Sequence, residues 1–137
     1  MIKSLAVSKL VHLFISLPNP PEDLVCELST MFYEFVWNGG PDKVKRQILQ
    51  KKYEEGGLQM LNLKEFINGL KIGWIPRFLS SNSKWQHHLQ NSIASMPFLW
   101  DCGDSYLRKN ISKLQNPFWR DVLDALCVFI DKQRCKL

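Results

Sequence analysis

Residues 32 to 63 read FYEFVWNGGPDKVKRQILQKKYEEGGLQMLNL, and the rest of the chain is read as helices arranged around this stretch. Phe32, Tyr33, Phe35, Val36 and Trp37 close an apolar helical segment. Asn38, Gly39, Gly40 and Pro41 then stop it, because glycine accepts the left-handed conformation at a helix end and proline cannot continue a helix. Lys43, Lys45, Arg46, Lys51 and Lys52 follow within ten residues, opposed only by Asp42, and make the strongest local positive field in the chain. One helical turn is expected near Lys45 to Leu49, then an extended piece through Lys51 to Tyr53, with Ile48 and Leu49 as anchors and the lysines in water. Glu54-Glu55-Gly56-Gly57 is a second turn. After it Leu58, Met60, Leu61 and Leu63 carry the chain back to the interior, and the alternation of Leu58 and Met60 permits a short strand.

Upstream, Leu5, Val7, Leu10, Val11, Phe14 and Ile15 predict a first helix from Ser4 to about Ser16. Leu17-Pro18-Asn19-Pro20-Pro21 ends it, and Pro20 or Pro21 can open the next helix, with Glu22 and Asp23 in a first turn that favours negative charge. Leu24, Leu28, Met31, Phe32, Phe35 and Val36 then line one face of a second helix, expected to pack antiparallel to the first. Downstream, Asn62 with Glu65 predicts a capped start for a third helix carrying Leu63, Phe66, Ile67, Leu70, Trp74 and Phe78. Gly69 and Gly73 either admit a close neighbour or merely weaken this helix. Pro76 should kink it or end it near Ile75. Ser80 to Ser83 is the best internal boundary. Beyond it, helices are expected over Trp85 to Ile93 and Tyr106 to Leu114, a loop over Met96 to Asp104, and a final helix from Pro117 burying Phe118, Val122, Leu126, Phe129 and Ile130.

The chain has 137 residues, enough for one domain with a real core. Five tryptophans and eight phenylalanines argue against disorder. The formal charge of +5 is unevenly spread: residues 41 to 52 hold five cations against Asp42, whereas residues 1 to 40 hold Lys3 and Lys9 against Glu22, Asp23, Glu27 and Glu34. A concentrated excess suits a polyanion-binding face, and a solvated loop would show the same pattern. Cys26, Cys102, Cys127 and Cys135 lack the short spacing of a zinc site and are read as reduced, mostly buried thiols. His12, His87 and His88 do not supply a metal set, since adjacent helical residues diverge by about 100 degrees; no metal or other cofactor is expected. Lys9 and His12 interrupt the apolar N-terminal run and no stretch reaches the length of a membrane span, so a soluble protein of the nucleus or cytoplasm is expected. Phosphate-binding glycine loops, nucleophile elbows and HExxH helices are absent from the sequence.

The pattern F-x-W-N-G-G-P-D-K-V-K-R-x-x-L from Phe35, then G-G-L-x-M-L-N-L from Gly56 and K-x-x-W-I-x-R from Lys71 to Arg77, resembles the region C-terminal to the palm in LINE-class (non-LTR) retrotransposon reverse transcriptases. Ile2 to Leu10 and Leu17 to Pro21 resemble the same family, and the likeness runs from Ile2 to about Leu79. The resemblance implies a mainly α-helical, thumb-like bundle with a short basic loop or β-like connection. Residues 1–80 would be the thumb-like domain with its basic loop at 41–57, and residues 81–137 a C-terminal helical segment, packed on it or semi-independent. It places Met1 after the catalytic carboxylates of a longer polypeptide, so no polymerase activity and no catalytic residue is expected here. Lys43, Lys45, Arg46, Lys51 and Lys52, helped by Lys71 and Arg77, would touch phosphates of an RNA, DNA or hybrid duplex. Phe35, Trp37, Asn38, Gly39, Gly56, Gly57, Leu58 and Trp74 would form the frame. The alternative is a retrotransposon remnant or interaction module whose uncovered faces bind the missing polymerase domains or self-associate.

Overall fold

The structure, a computed structural model, describes residues 3–80, 84–87 and 104–135. The described residues are mainly helical and contain no strand. They fall into two compact units, Met1–Phe14 with Pro20–Ile67, and Ile15–Asn19 with Asn68–Leu137. Residues 68 to 80 therefore belong with the C-terminal segment, which moves the division upstream of the Ser80 boundary expected from the polar run.

A π-helical turn at Lys3–Val7 leads into α1 (Ser8–Ser16), and the proline link delivers the chain to α2 (Glu22–Val36). Pro21 stands at the N-cap with φ −53°, and Glu22 and Asp23 occupy the first turn. The C-terminal corner forms as its residue types dictate: Trp37 N–H donates to Tyr33 O, Gly39 N–H to Glu34 O at 2.8 Å, and Asn38 and Gly39 take φ of 50° and 76°.

The buried side of α2 differs from the expected stripe. Phe32 and Tyr33 are buried, with Val25, Leu28, Ser29 and Val36 half-buried, whereas Leu24, Met31 and Phe35 face water. The packing face is rotated by about one residue, toward the side on which α3 (Arg46–Gln50) reaches Thr30 and Tyr33.

After α3, Lys51 and Lys52 are extended, Tyr53–Glu55 makes one 3-10 turn, and Gly56 turns the chain in the left-handed region at φ 78°. The expected helical turn and extended piece are both present. The segment closes on itself: Leu58 and Met60 N–H both donate to Leu49 O at 3.0 and 2.9 Å, Gly57 N–H to Lys52 O and Gln59 N–H to Lys51 O. Two donors sharing one acceptor, with Gln59 at φ 49°, make a closed loop and exclude a strand ladder. Leu49 is buried as an anchor but Ile48 is exposed, and Leu58 is 48% exposed rather than returned to the interior; Leu63 and Ile67 fill the core position instead.

Asn62 Oδ1 accepts from Glu65 N–H and opens α4 (Leu63–Ile72). The helix breaks at Gly73 and resumes as α5 (Trp74–Ser80). Pro76 explains the position of the break, because its ring would strike the carbonyl four residues back, at Ile72, while a proline in the first turn of α5 is tolerated. A Cβ on Gly69 would meet nothing within 4 Å, so this glycine admits no close neighbour and only weakens its helix.

In the second unit, residues 84–87 are helical, followed by α6 (Asp104–Lys113) and α7 (Pro117–Arg134). The other residues of the expected Trp85–Ile93 helix and Met96–Asp104 loop lie largely outside the described residues, as does Cys102. Asn116 caps α7, its side chain accepting from Phe118 N–H at 3.0 Å with Pro117 in the first turn. Ile75 and Phe78 pack with Leu107, Ile111, Leu114, Trp119, Val122, Leu123, Leu126 and Cys127. Phe129, expected inside, is exposed, and Trp119 and Leu123 take its place. Trp85 stacks on Trp119 with ring centroids 5.5 Å apart, and Trp74 sets its edge against both rings and Phe118. This aromatic group is what draws α5 into the second unit. Cys127 is buried but Cys26 and Cys135 are exposed, correcting the expectation of mostly buried thiols.

A Cβ on Gly57 would lie 2.1 Å from Lys51 O and 2.8 Å from Ile48 O, both backbone atoms that cannot swing aside. Gly57→Ala should destabilise the loop by about 1–3 kcal/mol and strip hydrogen-exchange protection from the Leu58 and Met60 amides. Gly69→Ala, by contrast, should raise the urea midpoint by the equivalent of about 1 kcal/mol; protected Leu58 and Met60 amides in the Gly57 variant would show that the loop closes some other way.

Candidate nucleic-acid interface

The basic segment is held by a bracket between α2 and α3. Arg46 and Gln50 are four residues apart, so they share one face of α3, and both reach Tyr33. Gln50 Nε2 donates to the Tyr33 hydroxyl at 2.9 Å, and the Arg46 guanidinium lies 4.7 Å from the Tyr33 ring centroid. Arg46 also donates to Asp42 Oδ2 at 2.8 Å and to Thr30 Oγ1 at 3.3 Å. The guanidinium is thus largely committed to holding the segment. Its expected role as a phosphate contact is corrected to that of a brace.

The four lysines of the segment behave differently. Lys43, Lys45, Lys51 and Lys52 are exposed and make no ion pair with any described residue. Lys43 Nζ lies 5.9 Å from the centroid of the Trp37 ring. Lys45 directly precedes α3 and Lys51 directly follows it. Two carboxylates, Glu54 and Glu55, lie in the next turn and are also exposed, which confines the positive field to residues 43 to 52.

Lys71 and Arg77 belong to the second unit. Lys71 is 0% exposed; its Nζ donates to Leu17 O and lies 4.6 Å from the Phe118 centroid. A side chain so enclosed cannot reach a phosphate, so Lys71 is removed from the binding set. Burial pushes its pKa below the ordinary 10.5, an effect partly offset by the Asp121 carboxylate. Arg77 is exposed, its guanidinium 5.3 Å from the Trp74 centroid.

Of the expected frame, Asn38, Gly39 and Gly56 hold positive φ and Gly57 fills a space with no room for a side chain. Trp37 is half-buried, with its Nε1 enclosed and without a hydrogen-bond partner among the described residues. Trp74 anchors the second unit, its Nε1 donating to Ile15 O at 2.9 Å. Phe35, at 60% exposed, and Leu58 are surface residues rather than anchors. They line a groove of about 240 Å³ with Lys3, Tyr53, Gln59 and Met60, and Gln50 and Asn62 line a more polar hollow that shares Lys3, Gln59 and Met60.

Tyr33 and Gln59 were not foreseen. The spacing of Arg46 and Gln50 is the signal that could have pointed to a shared partner on α2, whereas nothing local marks Gln59 for a left-handed backbone. No group of three potential metal ligands lies together among the described residues, and no helix there is long and apolar enough to cross a membrane. No family model matches the chain, and neither a curated protein nor a solved structure matches it.

The depressed pKa of Lys71 sets a direction for stability against pH. Between the lowered value and 10.5 the unfolded chain binds more protons than the folded one, so stability should rise as pH rises through that window; below it the unfavourable contribution of the buried ammonium is full and independent of pH. Urea unfolding across the alkaline range should show this rise in the native protein and its loss in Lys71→Met. Equal slopes in the two would assign the dependence to another group.

Proposed function

We propose that the chain is a non-catalytic module of the kind found beside the palm of LINE-class reverse transcriptases, binding nucleic-acid backbone through the loop at 43–52. The observation that carries this reading is the set of four exposed lysines that pair with no carboxylate among the described residues, mounted on a segment shaped by its own backbone hydrogen bonds and by the Tyr33 bracket. Cations left in water on a preorganised surface can exchange their hydration for phosphate oxygens and release condensed counterions, which is the source of sequence-independent affinity. The resemblance of residues 2 to 79 to that family points to a primer-template duplex as the polyanion. The sequence has no paired carboxylates in the palm pattern, so the module contributes grip and leaves phosphoryl transfer to another domain.

Exposed Leu24, Met31, Phe35 and Tyr53 favour one second reading, an interaction module whose apolar face meets a protein. Sedimentation at several concentrations separates the two, since that reading requires self-association or a protein partner and no salt-dependent nucleic-acid binding.

Titration of duplex DNA, duplex RNA and a hybrid should give dissociation constants on the order of 10⁻⁴ to 10⁻⁶ M, with a log-log salt slope of about −0.9 for each phosphate engaged on DNA. Replacing Lys43, Lys45, Lys51 and Lys52 by glutamate should abolish binding and leave the circular dichroism spectrum unchanged. Arg46→Ala should instead lower stability by about 1 kcal/mol with a smaller loss of affinity. Unchanged affinity in the quadruple variant would remove the loop from the interface.

A further inference from the structure

The proposed phosphate-binding segment runs directly into an exposed aromatic. Tyr53 follows Lys51 and Lys52 without interruption and is 66% exposed. Its ring borders the groove of about 240 Å³ shared with Phe35, Leu58 and Met60. Lys3 lines the same groove. An apolar slot with aromatic walls beside cations on an extended backbone has the chemistry that takes a nucleobase by its face and the adjoining phosphates by charge. Lys3 at the groove and Lys51 and Lys52 just before Tyr53 in the chain match the charge of a nucleic-acid strand, and a paired base inside a duplex could not present its face.

Gln59 supplies an independent observation. It holds φ 49°, a conformation that residues other than glycine and asparagine seldom adopt, and the loop closure that imposes it also fixes the direction in which its side chain leaves the backbone. Gln59 borders both the apolar groove and the polar hollow beside it, and its side-chain amide makes no hydrogen bond with any described residue. An amide carries both a donor and an acceptor, the pair of functions that a base edge presents.

We infer that this groove is a site for an unpaired base of single-stranded nucleic acid, with the base against Tyr53 and Phe35, its edge on the Gln59 amide, and the flanking phosphates on Lys51 and Lys52. The inference rests on the reading of the loop as a phosphate-binding surface and adds to it a single-strand preference. On a primer-template, the site would hold a nucleotide at a frayed end or in the unpaired template rather than the paired stem.

The test compares fluorescence anisotropy of a labelled single strand, the same strand with abasic positions, and a duplex of equal length, using the full chain. The single strand should bind more tightly than the abasic strand, and Tyr53→Ala should weaken single-strand binding by roughly 5- to 100-fold, the range expected for loss of one stacked base. Duplex binding should be unaffected by Tyr53→Ala. Gln59→Gly, which relieves the backbone strain, should keep the fold and lose discrimination among the four bases. Equal binding of intact and abasic strands, with Tyr53→Ala silent and the quadruple lysine variant inactive, would overturn the base site while leaving the phosphate surface standing. No binding of any nucleic acid at low salt would overturn both. A dimer that becomes monomeric in Tyr53→Ala would assign the groove to a second copy of the chain and overturn the base site.

Discussion

The contact of Tyr33 with α3 is the constraint on which the first unit depends. One tyrosine carries two loads: its ring receives the Arg46 guanidinium and its hydroxyl receives the Gln50 amide. A five-residue helix has too few internal hydrogen bonds to persist alone, so α3 depends on these two side chains, which tie it to α2, and on the burial of Leu49. The cation over the ring and the hydrogen bond at its rim act on the same rigid plane. Together they fix both the position and the rotation of α3, which decides where Lys45 leaves and where Lys51 departs. The exposed lysines are thus oriented by the buried Tyr33 and Leu49 and the half-buried Arg46 and Gln50.

The second unit rests on a different kind of contact. Trp74, Trp85, Phe118 and Trp119 form a mutual aromatic cluster, and Lys71 is trapped beside it with its ammonium on Leu17 O and against the Phe118 face. The cluster holds a cation that burial disfavours, and the ring face and the carbonyl are the compensations. A lysine that reads as one more surface charge in a basic chain is here an internal element of the fold.

Helices were legible wherever a local signal was strong. The Asn38-Gly39 corner, the Asn62 cap, the Asn116-Pro117 start and the proline-imposed break before α5 all follow from residue chemistry within a few positions. The buried faces were less legible. On α2 the apolar stripe of Leu24, Leu28, Met31, Phe32, Phe35 and Val36 is clear by periodicity, yet Leu24, Met31 and Phe35 are exposed, while Phe32 and Tyr33 are buried and Tyr33 meets α3. Long-range choice of partner carries no local signature. The candidate site divides in the same way: a lysine cluster is visible in the chain, but which cation is a brace, which is entombed and which is free depends on Tyr33, Phe118 and Leu17, all distant in sequence. The Gln59 conformation is set by closure of the loop and by nothing in its immediate neighbours.

That closure has a wider consequence. Leu49 and Met60, at the entry and exit of the loop, are hydrogen-bonded to each other, and the bonds between them are made by the main chain around the hollow left by Gly57. The shape is therefore independent of the side chains at 51 to 55. The ends of the segment meet at one point, through Met60 N–H and Leu49 O. Its charges can be rewritten by substitution without reshaping the peptide that presents them.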